Sequence, residues 1–461
     1  MNRSVSKRVI FVSEVRQSFV LAIPLIFSFF VQAASGFIGT LMIARLGKDA
    51  LAASVLVYAI YLTFAVFFFG ILSAIGILVA HNCGAKNNKG VGLAVSQGVL
   101  LSIVICIPIM LLLILMPHIL FLSHQSAHVL LLGKQYLHSL VFCILPLALL
   151  VVMEQFLIGI EQTKLVLMIS ILQIPIEILV NYIFIFGKFG FPALGIAGLG
   201  YGYATVFSVA TLLIALFLSK SKASKEYRPF SYINQFHQQY FFELLKVGFP
   251  IGCMYVIEVA FFTVIAFLMG RISNDALAAH QIAIQFIELV MVIPYGISHA
   301  TAVRVGKAVG QNNKEKVKEA VFANMFIGYC ILIFVVVYFV FWPTSLIALD
   351  VNLHNINYSI MIHLATVFIG IGSFGLLIDN FRYVIFGALR GLKDTSFPMY
   401  ITAAAFWFIG LPIAYILAFN LKINGAGLWI GILVGMIVAS ILLYMRLNRF
   451  LQKTRLADLL I

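Results

Sequence analysis

Long runs of apolar residues recur along the chain and are separated by short polar segments. Many reach about twenty residues, the length that an α-helix needs to cross a hydrocarbon core of about 30 Å. Because lipid offers the backbone no hydrogen-bonding partner, such runs indicate membrane-spanning helices, and the two-residue alternation of a membrane β-barrel is absent from the sequence. We predict twelve spans, at residues 18–44, 51–80, 91–116, 136–160, 166–186, 196–218, 245–270, 276–302, 320–341, 360–386, 397–419 and 425–447.

The composition agrees with this pattern. The chain of 461 residues is 63% hydrophobic and only 10% Asp, Glu, Lys and Arg. A soluble domain carries about 25% charged residues, so this chain could not cover a surface that faces water. We therefore predict an all-α integral membrane protein, surrounded by membrane lipid.

Basic residues outnumber acidic residues, 30 to 16, which gives a formal net charge of +14. Most of them fall in every second loop between the predicted spans, a pattern typical of the positive-inside rule. We therefore assign the excess to membrane topology, with both termini in the cytoplasm, and expect no nucleic-acid partner. Arg382 is the one basic residue inside a predicted span, whereas Arg390 is placed in a cytoplasmic loop.

An internal duplication relates the two halves of the sequence. Pro24 matches Pro250 at an offset of 226 residues, and residues 45–53 match residues 271–279 at the same offset. Further matches are Gly70 with Gly296 at that offset and Gly159 with Gly387 at an offset of 228.

Each half contains six predicted spans, so both halves enter the membrane in the same direction. Parallel repeats of this kind are typical of transporters, with the substrate site between the repeats. We predict two six-helix bundles related by a pseudo-two-fold axis, at residues 1–219 and 241–461, joined by a cytoplasmic linker at residues 220–240.

Five short motifs are spread over nearly the whole chain. They are Arg-x-Gly-x-Asp-Ala-Leu-Ala-Ala from Arg45, Gly-Ala-Lys-Asn-Asn from Gly84, Gly-Phe-Pro from Gly248, Ala-Ala-His-Gln from Ala278, and Gly-Ala-Leu-Arg-Gly-Leu-Lys-Asp-Thr from Gly387. Together they resemble the multidrug and toxic compound extrusion (MATE) family, in its NorM-like bacterial branch.

The resemblance implies two bundles that alternate between outward-open and inward-open states. It implies that cation influx drives the export of amphipathic, mostly cationic drugs or dyes across a bacterial inner membrane. It also implies no catalytic residue, and no cofactor apart from the coupling ion, Na⁺ or H⁺. We expect the protein to be a monomer.

Two acidic residues fall inside predicted spans of the second half, Glu258 in the seventh and Asp379 in the tenth. Ionisable groups at membrane depth are costly and are therefore functional candidates. The resemblance implies that both carboxylates bind the coupling cation, with no other metal site. The repeat position of Glu258 is Gln32, so this acid belongs to one half only. The alternative interpretation is a protonated carboxyl group that hydrogen-bonds between helices.

Other polar residues bear on this site. Arg382 follows Asp379 by three residues, so their side chains share a helix face and can form a structural ion pair that competes with a bound cation. In the first half, Glu177 and Asn181 share one face of the fifth span and form either a proton site or interhelical hydrogen bonds. Gly39 stands where the family has its first-half aspartate.

Several further residues are candidates for lining a substrate cleft, namely Met254, Tyr255, His280, Gln281 and Glu288. Glu288 and Glu154 are also expected to form hydrogen bonds inside the bundles.

Two other functions remain open. A lipid-linked oligosaccharide flippase of the wider superfamily would need a cleft rich in Arg and Lys, whereas one Arg is predicted within the membrane. A membrane-embedded acyltransferase would need a catalytic His beside an acid or Asn, and His138, Glu154 and Glu177 match that pattern poorly.

Overall fold

A computed structural model describes the backbone of residues 2–120, 126–353 and 355–460. Side chains are described for residues 11–118, 126–221, 224–353 and 355–460. All regular secondary structure in this part of the chain is helical, with no β-strand. Twelve of its helices are long and apolar enough to cross a membrane, which confirms the predicted fold class.

The twelve helices are named α1 to α12 in chain order. They run over Asn2–Ala44, Lys48–Gly84, Asn88–Leu120, Ala127–Gly159, Thr163–Phe186, Ala197–Lys220, Gln238–Ile272, Asn274–Gly310, Lys314–Phe341, Ser359–Gly391, Ser396–Asn420 and Asn424–Lys453.

Most helices are longer than the predicted spans, because polar residues extend them beyond the apolar run. The start of α8 is capped by Ser273, whose Oγ accepts a hydrogen bond from the backbone N–H of Ala276 at 3.0 Å. At the start of α9, the side chain of Asn313 accepts the backbone N–H groups of Glu315 and Lys316. Such side-chain caps satisfy backbone donors that the first helical turn leaves unpaired.

Two helices are irregular. Helix α2 is interrupted at Ser73, whose Oγ donates a hydrogen bond to the carbonyl of Gly70 at 2.7 Å. Helix α11 contains two π-helical segments, Ala404–Gly410 and Ile416–Asn420. Segments of π-helix are rare and frequently mark functional sites.

The contacts divide the chain into two compact units. The amino-terminal unit is Phe27–Gly252, and the carboxy-terminal unit combines the residues up to Ile26 with Cys253–Leu460. The units therefore coincide with the sequence repeats except in two helices. The first part of α1 belongs to the carboxy-terminal unit, and the first part of α7 belongs to the amino-terminal unit. The two boundaries, before Phe27 and before Cys253, are separated by the same 226 residues that relate the repeats.

Each unit has one helix at its centre. In the carboxy-terminal unit, α10 packs most extensively against α8 and also against α12 and α9. In the amino-terminal unit, α4 packs most extensively against α6 and also against α3 and α2. The central position of α10 explains why the acidic and basic side chains of this helix are buried.

Candidate functional site

Three ionisable side chains meet inside the carboxy-terminal unit. Arg382 on α10 donates Nε–H to Asp379 Oδ1 at 2.6 Å, one helical turn away, and Nη1–H to Glu258 Oε1 on α7. The hydroxyl of Tyr383 donates to the second oxygen of Glu258 at 2.8 Å. Glu258 is 7% exposed, and Asp379 and Arg382 are each 3% exposed. One buried guanidinium therefore links two carboxylates from different helices, and we call these three residues the acid–arginine cluster.

Aromatic rings enclose the guanidinium of Arg382. Its central carbon lies 4.4 Å from the ring centroid of Tyr383 and 5.3 Å from that of Phe406. Cations are attracted to the faces of aromatic rings, and more strongly when water is excluded. Tyr295 on α8 packs edge-on against Tyr383, with ring centroids 4.8 Å apart. The rings therefore hold the guanidinium against the two acids.

The first π-helical segment of α11 contributes to this enclosure. It carries Phe406, whose ring also packs on Phe261 with centroids 4.9 Å apart. The next residue, Trp407, donates its indole N–H to the carbonyl of Ile257 at 3.3 Å, immediately before Glu258. Both contacts fix α11 against the stretch of α7 that carries the glutamate.

A second arginine is buried in the last turn of α10. The sequence places Arg390 in a cytoplasmic loop, but its side chain is 1% exposed, because α10 extends to Gly391 at the centre of its unit. Arg390 donates to the hydroxyl of Tyr255 at 3.1 Å and to Ser298 Oγ at 3.0 Å. Its Nε has no hydrogen-bond partner among the described residues. The prediction that Arg390 lies in a loop is therefore wrong, because the residue belongs to the last turn of α10.

The repeat positions of the acid–arginine cluster carry different charges. Glu258 corresponds to Gln32, which is exposed in the structure. At the offset of 228, Arg382 corresponds to Glu154 of α4, so the charge at this position is inverted between the repeats. Glu154 is buried but makes no hydrogen bond or ion pair with the described residues, in contrast to the predicted hydrogen-bonding role.

The amino-terminal unit has its own buried acid. Glu177 on α5 accepts a hydrogen bond from the hydroxyl of Ser35 on α1 and a second from Gln173 Nε2 at 3.3 Å. Asn181 lies one turn further along the same buried face, and its Oδ1 has no partner within the described residues. No described basic residue pairs with Glu177, so the two units differ in how their acids are compensated.

The predicted cleft residues do not form one group. Met254 and His280 are fully buried, with His280 edge-on to the ring of Trp429, so neither lines an accessible surface here. Gln281 and Glu288 are exposed, and Glu288 makes no hydrogen bond with the described residues, in contrast to the predicted role inside the bundle. Tyr255 is partly exposed and contacts Arg390. Sequence reasoning did not identify Tyr383, Arg390 or Ser35 as site residues.

Twelve membrane-spanning helices in two repeats, each with buried acidic groups, define a multi-pass membrane transporter. The MatE family model matches residues 24–183 and 250–416, one segment in each repeat and together more than half of the chain. The chain therefore belongs to the MatE family.

Relatives and solved structures cover nearly the whole chain. A protein named "Probable multidrug resistance protein NorM" from Synechocystis sp. is 29% identical over 443 residues, 96% of each chain. One of the same name from Mesorhizobium japonicum is 33% identical over 458 residues, covering 96% of this chain and 95% of the relative.

The fold is also similar to that of solved transporters. The eukaryotic MATE transporter AtDTX14 superposes with a TM-score of 0.83 at 22% identity, covering 97% of this chain and 98% of its own. An outward-facing multidrug resistance MATE family transporter gives a TM-score of 0.85 at 20% identity, covering 96% and 97%. At these identities the likeness shows the fold alone.

Proposed function

We propose that this protein is a multidrug efflux antiporter that exports amphipathic, mostly cationic compounds in exchange for Na⁺ or H⁺. The proposal places it in a bacterial inner membrane as a monomer with both termini in the cytoplasm. The names of the bacterial relatives support the drug-export part. The acid–arginine cluster is the observation that supports ion coupling, because two carboxylates share one buried arginine.

The mechanism follows from the charge of that cluster. With both acids ionised and Arg382 protonated, one carboxylate charge is in excess at a depth where charge is costly. An entering cation neutralises the excess negative charge. Binding of a cationic drug is favoured when that excess negative charge is present. Ion and drug therefore bias the same conformational equilibrium in opposite directions, which is what antiport requires.

The driving force comes from the concentration gradient of the coupling ion and from the membrane potential, which acts on the net charge moved in each cycle. Moving one elementary charge down a potential of 100 mV releases about 2.3 kcal/mol, to which an ion gradient adds its own contribution. One net positive charge moved inward per cycle supports an outward drug gradient of about forty- to fiftyfold, because each 1.4 kcal/mol corresponds to about a factor of ten. Exchange of one coupling cation for one monovalent cationic drug moves no net charge, so that cycle is driven by the concentration gradient of the coupling ion.

The first test is drug export from vesicles under imposed gradients. Everted membrane vesicles that contain the protein should accumulate an ethidium-like cation when a pH gradient or a Na⁺ gradient is imposed, and Glu258→Gln vesicles should not. Vesicles from cells without the gene provide the background, and immunoblotting checks the amount of protein. If neither gradient drives accumulation of the dye while the amount of protein is normal, the antiport proposal is contradicted.

The flippase remains the second candidate, because Arg390 adds a second buried arginine to α10. The side chain of Arg390 already donates hydrogen bonds to Tyr255 and Ser298, and Arg382 is paired with two acids. Neither arginine therefore presents a free guanidinium to a pyrophosphate group. Unchanged accumulation of a broad panel of dyes in a pump-deficient bacterium, with the protein in the membrane, would favour the flippase.

A further inference from the structure

We infer that Arg382 acts as a tethered cation between Glu258 and Asp379, so that this acid–arginine cluster exchanges protons and does not bind Na⁺. The inference rests on the proposed role of the cluster in ion coupling and narrows it to one ion. It concerns a residue of this chain that occupies the space between the two carboxylates.

Most of the carboxylate oxygens that a metal ion would need already accept a hydrogen bond. Three of the four carboxylate oxygens accept hydrogen bonds, two from Arg382 and one from the hydroxyl of Tyr383. A hard cation takes its ligands from several oxygens at once. Na⁺ bound to the remaining lone pairs of these oxygens would lie beside the positive charge of Arg382, and turning the oxygens away from the guanidinium would leave a buried arginine unpaired. The residues present therefore do not fit a Na⁺ site.

Arg382 cannot make room for Na⁺ by losing its charge, and its buried position keeps it from water. A guanidinium stays protonated at any physiological pH. Its side chain is 3% exposed and lies between the rings of Tyr383 and Phe406. A second cation beside it would be repelled in a medium of low dielectric constant.

A proton meets neither obstacle. It binds to a single carboxylate oxygen and needs no further ligands. Because the cluster has two acids and one base, protonating either acid removes the excess charge and leaves Arg382 paired with the other. Among the described residues, the other titratable groups that interact with Glu258 are Tyr255 from α7, Tyr295 from α8 and Tyr383 from α10, and Arg390 contacts Tyr255.

The other repeat shows that the arginine is not a requirement of the fold. The position that corresponds to Arg382 is Glu154, and the positions that correspond to the two acids are Gln32 and Val151. The duplicated helices thus accommodate a residue without positive charge at this place. The carboxy-terminal repeat combines the arginine with the two acids, as an internal counter-cation would require.

The test measures Na⁺ binding to the purified protein, without drug and without a gradient. Thermal unfolding is followed while Na⁺ replaces K⁺ at constant ionic strength, since a ligand that binds the folded state raises the melting temperature as its concentration increases. Wild type should show no Na⁺-specific shift. Arg382→Gln should gain a shift that increases with Na⁺, and Arg382→Lys, which keeps the charge, should not.

Two matched variants locate the effect. Arg304→Gln also removes a partly buried arginine that pairs with an acid, Glu14, at another place in the unit, and should gain no Na⁺ response. Adding Glu258→Gln to Arg382→Gln should abolish the gained response, because one of the two acids is lost.

Two results overturn the inference. One is a Na⁺-specific shift in wild type that Glu258→Gln removes, and the other is a folded Arg382→Gln protein without any Na⁺ response. If Arg382→Gln does not fold, the wild-type measurement decides alone. Failure of drug export in vesicles, with wild type insensitive to Na⁺ in this assay, would count against the antiport proposal and not against this inference.

Discussion

The side chain of Arg382 compensates the charge of two buried acids, Glu258 and Asp379. Burying an ion pair in a medium of low dielectric constant costs several kcal/mol per ion in desolvation, which only close geometry and further hydrogen bonds offset. Here the guanidinium bonds to both Asp379 and Glu258, and the rings of Tyr383 and Phe406 lie against it. The arrangement tolerates the loss of one acid, because the other still pairs with the arginine.

This tolerance predicts strongly non-additive stability. Glu258→Gln and Asp379→Asn each leave one acid for Arg382, so each should lower the free energy of unfolding by about 1–2 kcal/mol, the scale of a lost charged hydrogen bond. The double variant leaves the arginine unpaired and should cost about 3–5 kcal/mol beyond the sum of the single effects. Thermal or denaturant unfolding in detergent measures these differences.

The control for this prediction is the triple variant with Arg382→Gln added. It removes the unpaired charge and should recover most of the stability lost in the double variant. Additive single effects, or a triple variant no more stable than the double, would show that Arg382 does not depend on these two acids.

At the scale of whole helices, α1 and α7 are held in related ways. The first part of α1 is fixed to α8 by Arg304, which binds both oxygens of Glu14 at 2.8 and 2.5 Å. The repeat position of Glu14 is Tyr240 on α7, and its hydroxyl donates to Asn82 on α2 at 3.2 Å. Each of these helices is therefore fixed at its start within one compact unit and continues into the other.

Glycines allow the close packing at the same places. A Cβ atom added to Gly70 on α2 would lie 2.6 Å from the Cα of Gly252 on α7. At the repeat position, a Cβ atom on Gly296 of α8 would lie 3.0 Å from the backbone nitrogen of Ile26 on α1. Both residues contacted this way, Gly252 and Ile26, are the last residues before the boundary between the units.

We expect Gly70→Ala to lower the free energy of unfolding by about 1–3 kcal/mol, the range for overfilling a packed site, because the obstacle is backbone and cannot turn aside. Gly36→Ala on α1 is the matched control, since a Cβ there meets nothing within 4 Å. That control should be neutral or stabilising by about 0.5–1 kcal/mol, as alanine is preferred over glycine in a helix. Equal unfolding midpoints for the two variants in detergent would contradict the packing argument.

At the scale of the whole molecule, the apolar runs predict the twelve helices well, because a span needs only length and hydrophobicity. The pairing of Asp379 with Arg382 also follows from sequence, since residues three apart share a helix face. The contact of Arg382 with Glu258 does not, because it depends on how α7 packs against α10. The sequence therefore identifies Asp379 as a partner of Arg382 but does not identify Glu258.

The orientation of the chain in the membrane gives the last prediction. Lys220, Lys222, Lys225 and Arg228 crowd the connection between α6 and α7, whereas Lys188 is the one basic residue between α5 and α6. Basic loops are retained in the cytoplasm, where the membrane potential favours positive charge. A fluorescent protein inserted within residues 221–228 or fused after Ile461 should therefore be fluorescent, and alkaline phosphatase at the same sites should be inactive. Fusions at Lys188 are the matched control and should give the opposite pair of signals. Active phosphatase in the connection between α6 and α7 would reverse the topology and, with it, the direction of the transport cycle proposed for this chain.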